Sequence, residues 1–458
     1  MIPPVRHALP LLVIAGLAAC GSGGPPQIPD AGGRQVAAVS LLRWPAKGGT
    51  PALYRFPTLA SALWEGRGTT PAVKRVIGAD LDQRQAYALD AKDGVVAIDL
   101  ESGRSRPFLA NAVAADIGPD GTVLAVATDR TLSAVSGRLP TPFPGKLPVV
   151  PVGLVGTGGD VAYALVPGDS GVVVASDGQA PRKILFPASG TVHTRWGDVL
   201  AAPSGEEVLI YEPGIARAFQ RLRIGARAVG LAFSPSGHRL YVTPEGSDEV
   251  LKYDRYTWNR LGTIDLPGDG ADLRADPLGR FLLVRPAHGD SVWVLDVIKG
   301  ELQGSWNTSW RADLPTIAGG RWLLVREGRD VVAYDLFDPK FAVSGKVAGG
   351  AEDLWQVLDW APRAEGPTPV EPGDTAAQTP ASGALTVYVQ LSSSQNPAWA
   401  DELAGKLKGQ GLAASVIRPK HQGEFYRVVL GPYTSREAAD SVGTRLGQPY
   451  FLYLPEDR

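Results

Sequence analysis

Between Val229 and Pro267 the apolar positions fall into four short runs, VGLAFS, HRLYVT, EVLKYD and RLGTIDL, separated by PSG, PEGSD and RYTW. Runs of this length, bounded by Gly, Pro, Ser and Asp, predict short β-strands joined by tight turns. The same beat returns in AADIGPDGTVLAVATDRTLSAVSG from Ala114, in ADLRADPLGRFLLVRPAHGDSVWVLDVIKGELQGSW from Ala271, and in ADLPTIAGGRWLLVREGRDVVAYDLFDPKFAVSGKV from Ala312. A weaker copy begins at Ile77, and two degenerate copies cover about 148–189 and 190–228. The period is about 40 residues with four strands per unit. One small sheet cannot bury both of its faces, so such units stack around an axis and close a ring. The pattern therefore predicts an all-β propeller over 35–361.

Seven repeats fit between Ile77 and Gly350, and two apolar leftovers flank them. LWQVLDWAP, from Leu354, reads as an isolated innermost strand. VAAVSLLRW, ALYRFPT and SALWEG, between Val36 and Gly66, read as three more. One plus three makes a blade assembled from both ends of the ring. Eight blades are expected, with seven as the alternative. The turn segments SPSG, GPDG and DPLG resemble those of YVTN-type and related WD40-like β-propellers, a likeness that bears on fold rather than activity.

Past Pro362 the pattern changes. Residues 362–383 hold five prolines and no apolar period, which reads as a linker with a reach of roughly 70 Å if extended. From 384 to 458 the order is strand, helix, strand, strand, helix, strand. In ALTVYVQLSS, Val387, Val389 and Leu391 alternate with Tyr388, Gln390 and Ser392. NPAWADELAGKLKGQG places Trp399, Leu403 and Leu407 on one helical face, with Asn396 as N-cap, Pro397 at the first position and Gly409 and Gly411 at the end. SREAADSVGTRLG is the second helix. This predicts a small α+β module (βαββαβ), a four-stranded antiparallel sheet with two helices on one face.

VYVQLSSSQNPAWADELAGKLKGQGLAASVI, followed by FYRVVLGPYTSREAADSVGTRL, resembles a SPOR domain. The likeness rests on Val389-Gln390, the AxxLAxxL-type helix, Gly411, Tyr426-Arg427-Val428, Gly431-Pro432-Tyr433 and Glu437-Ala438. It implies binding to peptidoglycan, typically to glycan strands stripped of stem peptides, and enrichment at division sites. Gln390 and Arg427 carry over best, with Tyr388, Ser392, Phe425 and Tyr433 as further glycan contacts. Tyr426 shares parity with Val428 and Leu430 and is expected to face the core. Where that family has a glycine, a small residue and an aromatic, this chain has Ser392-Ser393-Ser394. The face away from the helices is expected to expose Tyr388, Gln390, Ser392, Phe425, Arg427 and Tyr453, and its amide, hydroxyl, guanidinium and aromatic groups suit a polysaccharide, through hydrogen bonds and stacking on apolar sugar faces. With eight Lys+Arg against seven Asp+Glu in 384–458, charge is a minor contributor.

At the other end, Ala8 to Ala19 is an apolar run too short to span a bilayer, and it ends in small residues as a signal peptide does. Leu17-Ala18-Ala19-Cys20 resembles the lipobox of bacterial lipoproteins, which implies a signal over 1–19 and acyl chains on Cys20. Gly21, rather than Asp, resembles an outer-membrane address. Residues 20–34 read as the acylated cysteine and a flexible tether. Cys20 is the only cysteine, so intramolecular disulfides and cysteine metal clusters are excluded.

A formal net charge of −2 gives no basic field for nucleic acid. Five scattered histidines offer no pair at ligand spacing, and no nucleophile elbow or HExxH is present, so no catalytic residue, metal or cofactor is expected. Asp254, Asp296 and Asp335 recur at one repeat position, either as a carboxylate ring or as acceptors in their own turns. The combined expectation is a non-enzymatic envelope lipoprotein, held to the membrane by acyl chains and to the cell wall by the C-terminal module. The propeller is then a docking platform for an envelope protein. The alternative is a propeller enzyme or small-ligand binder delivered to the wall by that module.

Overall fold

The computed structural model describes residues 39–361 apart from short stretches at 63, 65–67, 137–138, 158–160, 168–171, 177–178 and 213–219. In the C-terminal module it describes 387–394, 397–409, 412–419, 426–433, 439, 442 and 451–453. Cys20, the Asn396 cap, Phe425 and most of the second helix therefore lie outside the described residues.

Eight four-stranded antiparallel sheets form the blades of a propeller. Seven follow the chain in simple up-and-down order, from Val73–Asp80 in the first to Val343–Val347 in the last. The eighth pairs Leu354–Leu358 with Ser40–Trp44, which is followed outward by Ala52–Arg55 and Ala60–Ala62. This is the one-plus-three blade that the leftover runs predict.

Apolar packing shows that the ring is closed. Each of eight buried clusters draws on two successive blades. One joins Leu324, Trp322 and Val331 of the seventh blade to Leu41 and Trp355, and another joins Leu42, Trp44 and Leu358 to Ala86, Ala88 and Val96 of the first. Leu41 and Leu42 point to opposite faces of one strand and both are fully buried. Middle strands are sandwiched between neighbouring blades, so their sequences (RLYV, FLLV, WLLV) lack alternation. Outer strands such as Gln179–Ile184 and Glu301–Asn307 meet water and are polar. Closure also carries a buried hydrogen bond, from Trp44 Nε1 to Gln356 Oε1 at 3.0 Å.

The turns that motivated the resemblance have a common geometry. Gly121, Gly237 and Gly279 adopt φ of 82°, 70° and 75°, and the last two donate to Ser234 O at 2.8 Å and Asp276 O at 3.0 Å. A Cβ is disfavoured at such φ, hence the recurring glycine. Asp254, Asp296 and Asp335 serve their own turns. Asp254 Oδ1 accepts from Thr257 N at 2.8 Å, Asp296 Oδ1 from Ile298 N at 3.0 Å, and Asp335 Oδ1 from Phe337 N at 3.0 Å.

Gly345, on the outer strand of the seventh blade, is required by close approach rather than by φ. A Cβ there would lie 2.5 Å from the backbone carbon of Thr58 in the closing blade. Gly345→Ala is expected to destabilise the ring by about 1–3 kcal/mol through overpacking. A lowered midpoint in urea unfolding of the full chain checks this. Among the described residues no helix is long and apolar enough to cross a membrane.

Candidate functional site

The C-terminal module forms a four-stranded antiparallel sheet in the order Ala414–Ile417, Tyr426–Tyr433, Val387–Ser394, Phe451–Tyr453. The helix Pro397–Gly409 lays Trp399, Ala400, Ala404 and Leu407 onto one face. There they meet Val387, Val389, Ala414, Val428 and Leu430, joined by Ala439 and Val442. The start at Pro397 and the end at Gly409 follow the sequence reading, and Tyr426 faces this core as expected.

The opposite face carries the site. Tyr388 pairs with Tyr453 and Gln390 with Val429, and Arg427 shares the parity of Val429. Arg427 Nη1 donates to Gln390 Oε1 at 2.9 Å. The guanidinium carbon stands 5.1 Å from the Tyr453 ring centroid, and the Tyr388 and Tyr453 rings are 6.4 Å apart. These four side chains form one connected patch. Gln390 is buried and orients the guanidinium, while Arg427, Tyr388 and Tyr453 are half-buried. An arginine lying against an aromatic ring, with one donor fixed by an amide, presents its remaining N–H groups in a set direction.

Two expected contacts are placed elsewhere. Strict alternation puts Ser392 beside Gln390, but the register shifts between Gln390 and Ser392. A one-residue shift turns every following side chain to the other face. Ser392 therefore stands opposite Val428 on the helix side, and Ser393 takes the open-face position opposite Arg427. Tyr433 pairs with Val387 after a second irregularity and packs half-buried against the helix-side core. Leu391, in the shifted stretch, also packs against that core.

Nothing in the sequence marks the contact between this module and the propeller. Trp399 meets the His238 ring edge-on, with centroids 6.1 Å apart. Ser392 Oγ lies 3.5 Å from His238 Nδ1. Arg195 pairs with Glu402, and Lys406 with Asp359 at 3.5 Å. Trp196 packs against the module's core. Each partner sits in or beside a blade turn, where no periodic pattern marks it.

Burial, with the nearby cations Arg255 and Arg239, pushes the His238 imidazole down to about 4, so it is neutral near pH 7. An unfolded histidine titrates near 6.5. As pH falls from about 6.5 towards 4, the unfolded chain takes up a proton that the native state refuses, and stability falls. The loss is expected to be on the order of 1–3 kcal/mol. Denaturation of the full chain across that range checks it, with His238→Gln expected to flatten the profile.

Among the described residues no group of three or more His, Cys, Asp or Glu is placed to hold a metal ion. Residues 386–451 match the SPOR domain family. This segment is a SPOR domain. A SPOR domain implies peptidoglycan binding, and the Tyr388–Gln390–Arg427–Tyr453 patch lies on the face of the sheet opposite the helix Pro397–Gly409. The propeller resembles a solved structure described as dihydro-heme d1 dehydrogenase NirN in complex with DHE, at 11% identity and a TM-score of 0.51, covering 71% of this chain and 75% of that one. It is also similar to AztD of Citrobacter koseri, at 13% identity and a TM-score of 0.51, covering 70% of this chain and 98% of that one. At these identities the likeness concerns the fold alone. No curated protein sequence matches the chain.

Proposed function

We propose that the protein is an envelope lipoprotein that grips denuded glycan strands with its SPOR domain and offers its propeller as a protein-docking platform. The reading places it in the periplasm, anchored to the outer membrane by acyl chains on Cys20, in envelope maintenance or cell division. The observation that carries it is the Arg427 guanidinium, fixed by Gln390 and flanked by Tyr453 and Tyr388 on a SPOR sheet. Stripping a stem peptide leaves a free lactyl carboxylate on the muramic acid. A preset guanidinium pairs with a carboxylate, and adjacent rings stack on sugar C–H faces. That combination accounts for a preference for stripped over peptide-bearing strands. In this reading the propeller offers a surface to a partner, and its recurring aspartates serve their own turns.

Calorimetric titration of the full chain with soluble, amidase-stripped glycan strands tests the reading. Saturable binding is expected, weakened severalfold by Gln390→Ala. Absence of binding would remove it.

A further inference from the structure

The helix Pro397–Gly409 faces the turn-bearing end of the propeller across a cavity of about 650 Å³. Trp399, Glu402, Leu403 and Lys406 line it from the helix. The other wall draws on five consecutive blades: Arg195 of the fourth, Ser236 of the fifth, Leu278 of the sixth, Gly319 of the seventh and Asp359 of the eighth. Five blades of eight cover more than half the ring, so the SPOR domain lies across its opening rather than on its rim. Arg427, Tyr388 and Tyr453 do not line the cavity and lie on the far face of the sheet.

We propose that the SPOR domain is a detachable cap: docked, it closes the turn-bearing face of the propeller to a protein partner, and released, it frees that face, with its glycan patch open in both positions. This rests on the docking-platform reading above and adds its regulation. The contact is poorly filled. Protein interiors leave few voids larger than a water molecule, whose share of the liquid is ~30 Å³, and this void is many times that. The hold is mostly polar. The pairs Arg195–Glu402 and Lys406–Asp359 are partly exposed, and such pairs contribute little and are screened by salt. Trp399 against the His238 ring adds an aromatic contact. The module has a core of its own, in which Val387, Val389, Val428 and Leu430 meet the helix. What the cap covers is apolar. Leu261 and Leu278 line the cavity and are exposed. The strip continues beyond the cavity. Arg280, in the same turn as Leu278, lies 4.5 Å from the centroid of the exposed Phe337 ring, and it binds Asp296 beside the exposed Ile298. Contiguous apolar side chains on a surface mark a protein contact site. The face that the SPOR domain covers is therefore the one suited to a partner presenting apolar side chains. Residues 362–386 give the module the length to move away, at ~3.1 Å per residue when extended.

The test compares three full-length proteins by small-angle X-ray scattering and by the fluorescence of anilinonaphthalene sulfonate, a dye that lights on exposed apolar surface. The double variant Arg195→Glu, Asp359→Lys makes both ion pairs repulsive from the propeller side and leaves the module untouched. Adding Glu402→Lys and Lys406→Glu restores both pairs, along with the Glu402–Lys406 pair within the helix. Circular dichroism equal to wild type shows that the variants fold. Wild type is expected to be compact and dim. The double variant should gain roughly 20 Å or more in maximum dimension and about twofold or more in dye signal, and the fourfold variant should return to wild-type values. Affinity for stripped glycan should be equal in all three. A double variant as compact as wild type would show a fixed contact, overturning the cap and leaving the docking-platform reading standing. A wild type already as extended as the double variant would overturn docking of the module. Extension without a gain in dye would show that release frees no apolar surface, which overturns the docking-platform reading of this face and the cap with it.

Discussion

Replacing Arg326 with alanine is expected to lower the stability of the propeller by about 3–5 kcal/mol, the usual cost of breaking a buried ion pair from one side. The Arg326 and Asp313 side chains are only 4% and 6% exposed, and Arg326 Nη2 donates to Asp313 Oδ2 at 2.7 Å. The same guanidinium donates to Ala351 O at 2.7 Å and Asp353 O at 3.1 Å, just before the strand that closes the ring. Asp313 also accepts from Trp355 N, at 2.8 Å, within that strand. Asp353 continues the chain of contacts to the other end of the ring, accepting from Arg43 Nε at 2.6 Å and Ala46 N at 3.0 Å. One cluster thus ties the seventh blade to both segments of the eighth. Removing Arg326 leaves the buried Asp313 carboxylate without its cationic partner, with the Trp355 N–H still donating to it, and takes one donor from each of two carbonyls. Urea unfolding of the full chain is the check. The double variant Arg326→Met, Asp313→Leu should recover part of the loss, because no charge is then left unpaired. A single-variant midpoint equal to wild type would show that closure does not depend on the Arg326–Asp313 pair.

Arg427→Ala is expected to reduce affinity for stripped glycan by tenfold or more, consistent with the ~1.5–3 kcal/mol of a hydrogen bond to a charged group. The fold should be unaffected, since Arg427 is half-buried and faces away from the helix-side core. Arg427→Lys keeps the charge but loses the planar fork and its stacking on Tyr453, so it should restore only part of the binding. Equilibrium titration of the three proteins with the same strands measures this. Equal affinity across them would move the carboxylate contact away from Arg427.

How far these features could be read from the sequence depended on whether a period marked them. Each blade repeats the same four runs and the same glycine-ended turn, so ring and blade count were legible. The closing blade was legible because one strand and three strands remained at the two ends. Gln390 and Arg427 were legible through alternation and a family likeness. Alternation fails at Leu391, where the register shifts and three consecutive serines offer no polarity contrast to reveal it. Ser392 and Ser393 exchange faces as a result. Tyr453 is expected on the same face from the sequence, but its place beside Tyr388 follows from the antiparallel pairing of the two strands, which exists only in three dimensions. The SPOR–propeller contact joins Trp399 on a helix to His238 in a blade turn, a pairing set by tertiary geometry alone.

The most direct test of the central claim is co-sedimentation of the full chain with two sacculus preparations, one intact and one stripped of stem peptides by an amidase. Wild-type protein is expected to pellet with stripped sacculi well above its level with intact ones, and Arg427→Ala to stay in the supernatant. Equal pelleting with both preparations, or none with either, would contradict that claim.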